Sequence, residues 1–229
     1  LKLKEFFLES IISDISSKNV FINFKGGDGF SKFISKCNDF DGLNEIFKKS
    51  LEYKIPHVML DIDIHKTKAI REFATSSFFV QLAKNYIGKK KISISGQCYI
   101  SNPIPVTEGQ KKDFAQYFHY DNDFKKFFKV FIYLNKVDEA SGPHVFIEQT
   151  NKKKLFKHLV AERIDDDEIL KSYSKEKIKK FLGEKGSIII EDTFGLHKGF
   201  SPKTKSRMML ILIYGEGIGI DSFENPIFV

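Results

Sequence analysis

From residue 91 onward the chain is a series of short extended runs separated by turn residues, and this limits the folds open to it. The runs are KISISGQCYIS, KVFIYLNKV (129–137), PHVFIEQT (143–150), GSIIIEDT (186–193) and RMMLILIYG (207–215). Segments rich in Ile, Val, Phe and Tyr, bounded by Gly, Pro, Asn and Asp, read as β-strands. A polar, helix-tolerant insert at 152–183 separates PHVFIEQT from GSIIIEDT. The first ninety residues differ. DGLNEIFKKSLEYK has helical spacing, with Leu43, Ile46, Phe47 and Leu51 on one side. KTKAIREFATSSFFVQLAKNYIG reads as a helix ending at Gly88, with a stripe of Ile70, Phe73, Ala74, Phe78 and Leu82. Between them HVMLDIDIH alternates and is extended, and KGGDG at 25–29 marks a turn. Helices followed by at least six strands predict a β-sandwich or jelly roll with helical cover.

A length of 229 residues suits one large domain, and a 41% hydrophobic content argues against disorder. The expectation is a single domain over 1–229, with 1–90 as mostly helical cover and 91–229 as the β core. No apolar run approaches the roughly 18 residues that span a bilayer. The opening LKLKEFFLES lacks the apolar stretch of a secretory signal, and a start at Leu1 reads as a chain trimmed or cut from a longer one. The two cysteines, Cys37 and Cys98, have no CxxC spacing, so a reduced, cytoplasmic setting is expected. The net charge of +7 could attract nucleic acid, but the lysines fall in short clusters broken by the acidic run Asp165–Glu168. A Lys-rich solvated surface accounts for them better.

The candidate chemistry starts at FHYDND, residues 118–123. On a strand, residues two apart point to the same side, so His119 and Asp121 can aim an imidazole and a carboxylate at one point. Two ligands hold a divalent metal weakly. His197, in the loop FGLHKGFSP after an apolar strand, supplies a third. Arg207 opens the next strand, where a buried guanidinium needs an anionic partner and suits a carboxylate. Two histidines and one carboxylate form the facial set of non-haem Fe(II) oxygenases. DIDIH also places Asp61, Asp63 and His65 on one strand face, but lacks a downstream partner and reads as a solvated face. His144 reads as a packing or substrate-side residue, and His158 as exposed. No G-x-S-x-G elbow and no P-loop occurs, which removes support from hydrolase and kinase readings.

HxD, a distant His, and Arg ten residues later resemble the Fe(II)/2-oxoglutarate oxygenases, and in particular the phytanoyl-CoA dioxygenase family. NKVDEASGP matches that family's turn after the strand following HxD, and GSIIIEDTFGLHKGFSPKTKSRMMLILIY matches its last two strands. EQTNKKK stands where the family often carries PGSHK. The likeness covers about residues 91–215. It implies an α+β, mainly β fold, a double-stranded β-helix (jelly roll, cupin-like) with N-terminal helices packed on the outside. It further implies Fe(II), 2-oxoglutarate and O2, with ascorbate as a possible aid and succinate and CO2 as coproducts. His119, Asp121 and His197 carry over as catalytic iron ligands and Arg207 as the oxoglutarate clamp. Phe131 matches an aromatic position beside the cosubstrate, and Gln97 and Tyr99 are expected at the barrel mouth. The expected reaction is hydroxylation of a C–H bond in a small-molecule or glycan-like substrate. The same chemistry on nucleic acid, or a non-catalytic metal-dependent binder, are the alternatives.

Overall fold

The computed structural model describes residues 5–15, 20–22, 42–217 and 226–229; KGGDG and Cys37 lie outside them. With strands numbered in chain order, the larger sheet runs β1 (Val20–Ile22), β2 (His57–Ile62), β3 (Ile92–Ser101), β9 (Arg207–Glu216), β4 (Phe127–Tyr133) and β7 (Ile188–Glu191). β10 (Ile227–Phe228) pairs with the start of β3. The smaller sheet runs β6 (Ile178–Phe181), β5 (His144–Ile147) and β8 (His197–Gly199). Mutual backbone hydrogen bonds between His119 and His197, 3.0 and 2.9 Å, extend this sheet to the FHYDND segment. All strand pairings in both sheets are antiparallel. This is the jelly roll expected from the order of strands, in the double-stranded β-helix form that the family resemblance implies.

The period of two in β9 sorts its side chains. Leu210, Leu212 and Tyr214 pack with the helices Glu5–Asp14, Gly42–Glu52, Lys68–Ala74 and Ser77–Ile87. Met209, Ile211 and Ile213 face the other way, into a cluster with Phe127, Phe131, Tyr133 and Phe181 between the sheets. Covered on both faces, β9 must be apolar at nearly every position, as RMMLILIY is. Each fully buried Leu or Ile contributes about 1.5–3 kcal/mol relative to exposure. A third cluster, Phe118, Val145, Ile147, Ile164, Ile169 and Leu196, covers the outside of the smaller sheet.

Several local expectations change. The helix expected up to Gly88 breaks after Ala74: the Thr75 hydroxyl donates to the Arg71 carbonyl, 2.8 Å, and Ser76 is extended with ψ 147° before a new helix begins. Hydroxyl side chains compete for helical backbone groups in this way. Leu51 is 37% exposed, and Ser50 takes the buried place because Asn102 donates to its hydroxyl. The insert 152–183 holds two short helices, Phe156–Val160 and Asp166–Ser172, but ends in β6, whose Lys179 and Lys180 stay in water. Asp61 and Asp63 are buried, not solvated: Gln97 donates to Asp61, 2.8 Å, and the Asp63 carboxylate accepts from the His65 backbone N–H, 3.1 Å. His158 is also buried, held by Tyr173 and Glu168. Among the described residues no helix is long and apolar enough to cross a membrane.

Candidate metal and keto-acid site

Strand alternation builds the site. Phe118 joins the outer cluster, so its neighbour His119 turns inward; Leu196 is outward, so His197 turns inward. Asp121 follows His119 on the same side, fixed by its backbone N–H donating to the Thr193 carbonyl, 2.9 Å. The two imidazoles lie 4.3 Å apart between ring centroids. His119 Nε2 is 3.7 Å from Asp121 Oδ1, and His197 Nε2 is 3.4 Å from Asp121 Oδ2. Each Nδ1–H donates to the carbonyl two residues earlier, His119 to Tyr117 and His197 to Gly195, both at 3.0 Å. That fixes the tautomer and leaves both Nε2 lone pairs facing the carboxylate, an arrangement suited to a divalent cation. The ligand atoms of the three residues lie within 4.8 Å of one another.

Charge in the site is arranged to keep the carboxylate ionised and the imidazole neutral. Burial alone would raise the Asp121 carboxyl, but Lys129 and the two histidines outweigh it and hold it well below the usual range. Burial, reinforced by His197, pushes His119 down to about 3. Lys129 Nζ bridges Asp121 and Asp123 at 2.8 and 2.7 Å. It shares the inward side of β4 with Phe127 and Phe131, and its ammonium stays charged despite burial because of those two carboxylates.

A small cavity of about 80 Å³ connects this triad to Arg207, with Tyr99, Phe131 and His144 in its lining. Arg207 is 5% exposed. Its Nη1 donates to the Gly142 carbonyl, its Nη2 to the Ser101 hydroxyl at 3.4 Å, and its buried Nε has no hydrogen-bond partner among the described residues. A Cβ on Gly199 would stand 2.6 Å from Nη2, so the absence of a side chain there lets the guanidinium lie against β8. His197 and Gly199 are two residues apart on that strand, about 7 Å. A short dicarboxylate can bridge such a spacing, one end at the triad and the other at the guanidinium.

The structure brings His119, Asp121, His197, Arg207, Phe131 and Tyr99 to this one cavity. Gln97 stands behind it, donating to Asp61 and accepting from the Tyr99 hydroxyl at 3.0 Å. His144, read from the sequence as a packing or substrate-side residue, also lines the cavity, as do His57 and Lys129, to which the sequence reading gave no role. The usable signal for Lys129 is its phase, a lysine in step with Phe127 and Phe131 inside FFKVFIYL. His144 pairs with Glu191, Nε2 to Oε2 3.0 Å, and both side chains are buried. Burial pushes the Glu191 carboxyl up to about 8. Burial, with Arg207 adding to it, pushes His144 down to about 3.

The same fold occurs in proteins of very different sequence. AviO1 from Streptomyces viridochromogenes Tue57 superimposes with a TM-score of 0.51 at 10% identity, over 96% of this chain and 89% of that one. HygX from Streptomyces hygroscopicus, with nickel and 2-oxoglutarate bound, gives a TM-score of 0.52 at 12% identity, over 93% of this chain and 87% of that one. HygX carrying hygromycin B as well gives 0.50 at 12% identity, with the same coverage of 93% and 87%. No family model matches the chain, and no curated protein matches it by sequence.

Proposed function

We propose that the protein is an Fe(II)- and 2-oxoglutarate-dependent oxygenase that hydroxylates a C–H bond of a small-molecule or glycan-like substrate. The observation that carries this reading is one cavity with two Nε2 lone pairs and a carboxylate at one end and a buried guanidinium with an unpartnered Nε–H at the other. His119, Asp121 and His197 are the proposed metal ligands, and Arg207 the partner of the distal carboxylate. The fold shared with HygX, whose structures hold 2-oxoglutarate and hygromycin B, supports a keto-acid cosubstrate and a small-molecule substrate. The turn NKVDEASGP and the ordered HxD, His and Arg support placement near the phytanoyl-CoA dioxygenase family.

Iron bound with 2-oxoglutarate and O2 would supply the oxidation, releasing succinate and CO2. The chain's own residues prepare for it. The carbonyls of Tyr117 and Gly195 hold both imidazoles in the ligating tautomer. Lys129 keeps Asp121 ionised. Phe131 and Met209 line the cavity with apolar surface that limits water. Arg207 fixes the keto acid's orientation, because its planar fork can bind a carboxylate through two bonds.

The test supplies Fe(II), ascorbate and 2-oxoglutarate and measures succinate. The parent protein should release it slowly alone and faster with substrate. His119→Ala should abolish release and lose the metal on dialysis. Arg207→Ala and Arg207→Lys should both raise the KM for 2-oxoglutarate strongly. Absence of succinate from the parent protein under every condition would favour a non-catalytic metal-dependent binder. An unchanged KM in both arginine variants would remove Arg207 from the site.

A further inference from the structure

Resting on the keto-acid reading above, we propose that His144, braced by Glu191, is a second recognition group for the bound keto acid, positioned between the metal triad and Arg207. Strand register places it there. On β8, His197 belongs to the triad and Gly199 touches the Arg207 guanidinium. His144 is the register partner of Gly199, while His197 pairs with Phe146. Arg207 also donates to the carbonyl of Gly142, two residues before His144. A molecule running from the triad to the guanidinium therefore passes the His144 ring.

The ring is held for such a contact. It packs on Phe131 at 4.6 Å between centroids and approaches His197 at 5.6 Å. Its Nε2 is bound by Glu191, while among the described residues no hydrogen bond engages Nδ1. The chemistry of the pair decides what Nδ1 offers. A carboxylate Glu191 would accept from Nε2–H and leave a lone pair on Nδ1, which repels an anion. A neutral Glu191 donates its O–H to Nε2 and leaves an N–H on Nδ1, which an anion accepts. Three features of the site agree with the second state. Glu191 is 3% exposed at its side chain, and among the described residues its other oxygen Oε1 has no hydrogen-bond partner and no lysine or arginine forms an ion pair with it. An ionised carboxylate so placed would be costly, and burial favours its neutral form. Glu191 touches the keto acid only through His144 and is therefore a positioning residue.

The experiment measures 2-oxoglutarate binding by calorimetry, without oxygen, to the full chain loaded with Mn(II). His144→Leu should weaken 2-oxoglutarate binding about tenfold or more while leaving Mn(II) affinity unchanged, as loss of a hydrogen bond to a charged group does. Glu191→Leu should weaken it similarly. Glu191→Gln, which can still donate to Nε2, should bind within about threefold of the parent. His144→Asn, which keeps a donor, guards against a fold defect in the leucine variant: it should recover part of the affinity. The proposal is overturned if parent and His144→Leu bind equally. It is also overturned in its bracing part if Glu191→Gln is as weak as Glu191→Leu. If Arg207→Ala and the parent alike fail to bind 2-oxoglutarate, the keto-acid reading itself fails, and this assignment with it. Binding lost in Arg207→Ala but kept in His144→Leu would spare that reading and reject only the role of His144.

Discussion

Lys129 is the residue whose charge the site cannot spare in the metal-free state. It bridges two carboxylates, Asp121 and Asp123, that are each largely removed from water, and offsets one of their two charges. Lys129→Met should destabilise the metal-free chain by about 3–5 kcal/mol, the usual cost of leaving a buried charge without its partner. The same change should tighten Mn(II) binding, because the incoming cation no longer competes with an ammonium for Asp121. Urea unfolding and equilibrium dialysis give the two numbers, and effects of the same sign would refute this account. Glu191 provides a second prediction at this scale. Its folded carboxyl titrates near 8, far above the ordinary 4.5, so the neutral form's contribution is complete below 4.5 and is lost as pH rises through 8. Glu191→Gln cannot ionise. Between pH 5 and 8 the variant should therefore gain on the parent with rising pH, at a slope of at most about 1.4 kcal/mol per pH unit. Urea midpoints across that range would show it, and a pH-independent difference would contradict it.

Among the elements, β8 is short but joins both ends of the site: His197 faces the triad, and Gly199 gives the Arg207 guanidinium its space. Gly199→Ala should push the guanidinium off its seat and raise the KM for 2-oxoglutarate severalfold, with metal affinity retained; an unchanged KM would place the clamp elsewhere. This element also shows what sequence can carry. His119 and Asp121 were legible because a spacing of two on a strand is a local rule, and Arg207 because an arginine heading an apolar run needs a reason. The five β-rich runs were legible for the same local cause. β6 was not, because Lys179 and Lys180 look solvated and only its pairing with β5 makes it a strand. The break at Thr75–Ser76 was hidden inside an unbroken apolar period. His144 and Glu191 lie 47 residues apart and Asp61 and Gln97 lie 36 apart, so no local pattern announces either buried pair. Their partners exist only once two sheets have formed.

At the scale of the whole molecule, the two sheets enclose a polar cavity whose groups oppose folding unless they are matched. Buried around it are His119, His144, His197, Glu191 and Arg207, and two of their atoms, Arg207 Nε and Glu191 Oε1, have no hydrogen-bond partner among the described residues. The apolar clusters on either side of β9 supply the stability that tolerates this. A cation held by His119, Asp121 and His197 binds the folded chain and has no preformed site in the unfolded one, so it must stabilise by mass action. At a hundredfold excess over its Kd the gain is about 2.7 kcal/mol. For a chain of this size, each 1 kcal/mol moves the melting temperature by about 2–4 °C. Mn(II) should thus raise Tm by about 5–10 °C, and 2-oxoglutarate added with the metal should raise it further. A chelator should reverse both shifts. The order matters: if Arg207 and the triad hold opposite ends of one ligand, 2-oxoglutarate alone should do less than it does with metal present. Equal shifts with and without metal would mean that the keto acid binds away from the triad. In His119→Ala the metal-dependent shift should vanish while the metal-free Tm changes little, which separates the loss of a ligand from the loss of the fold.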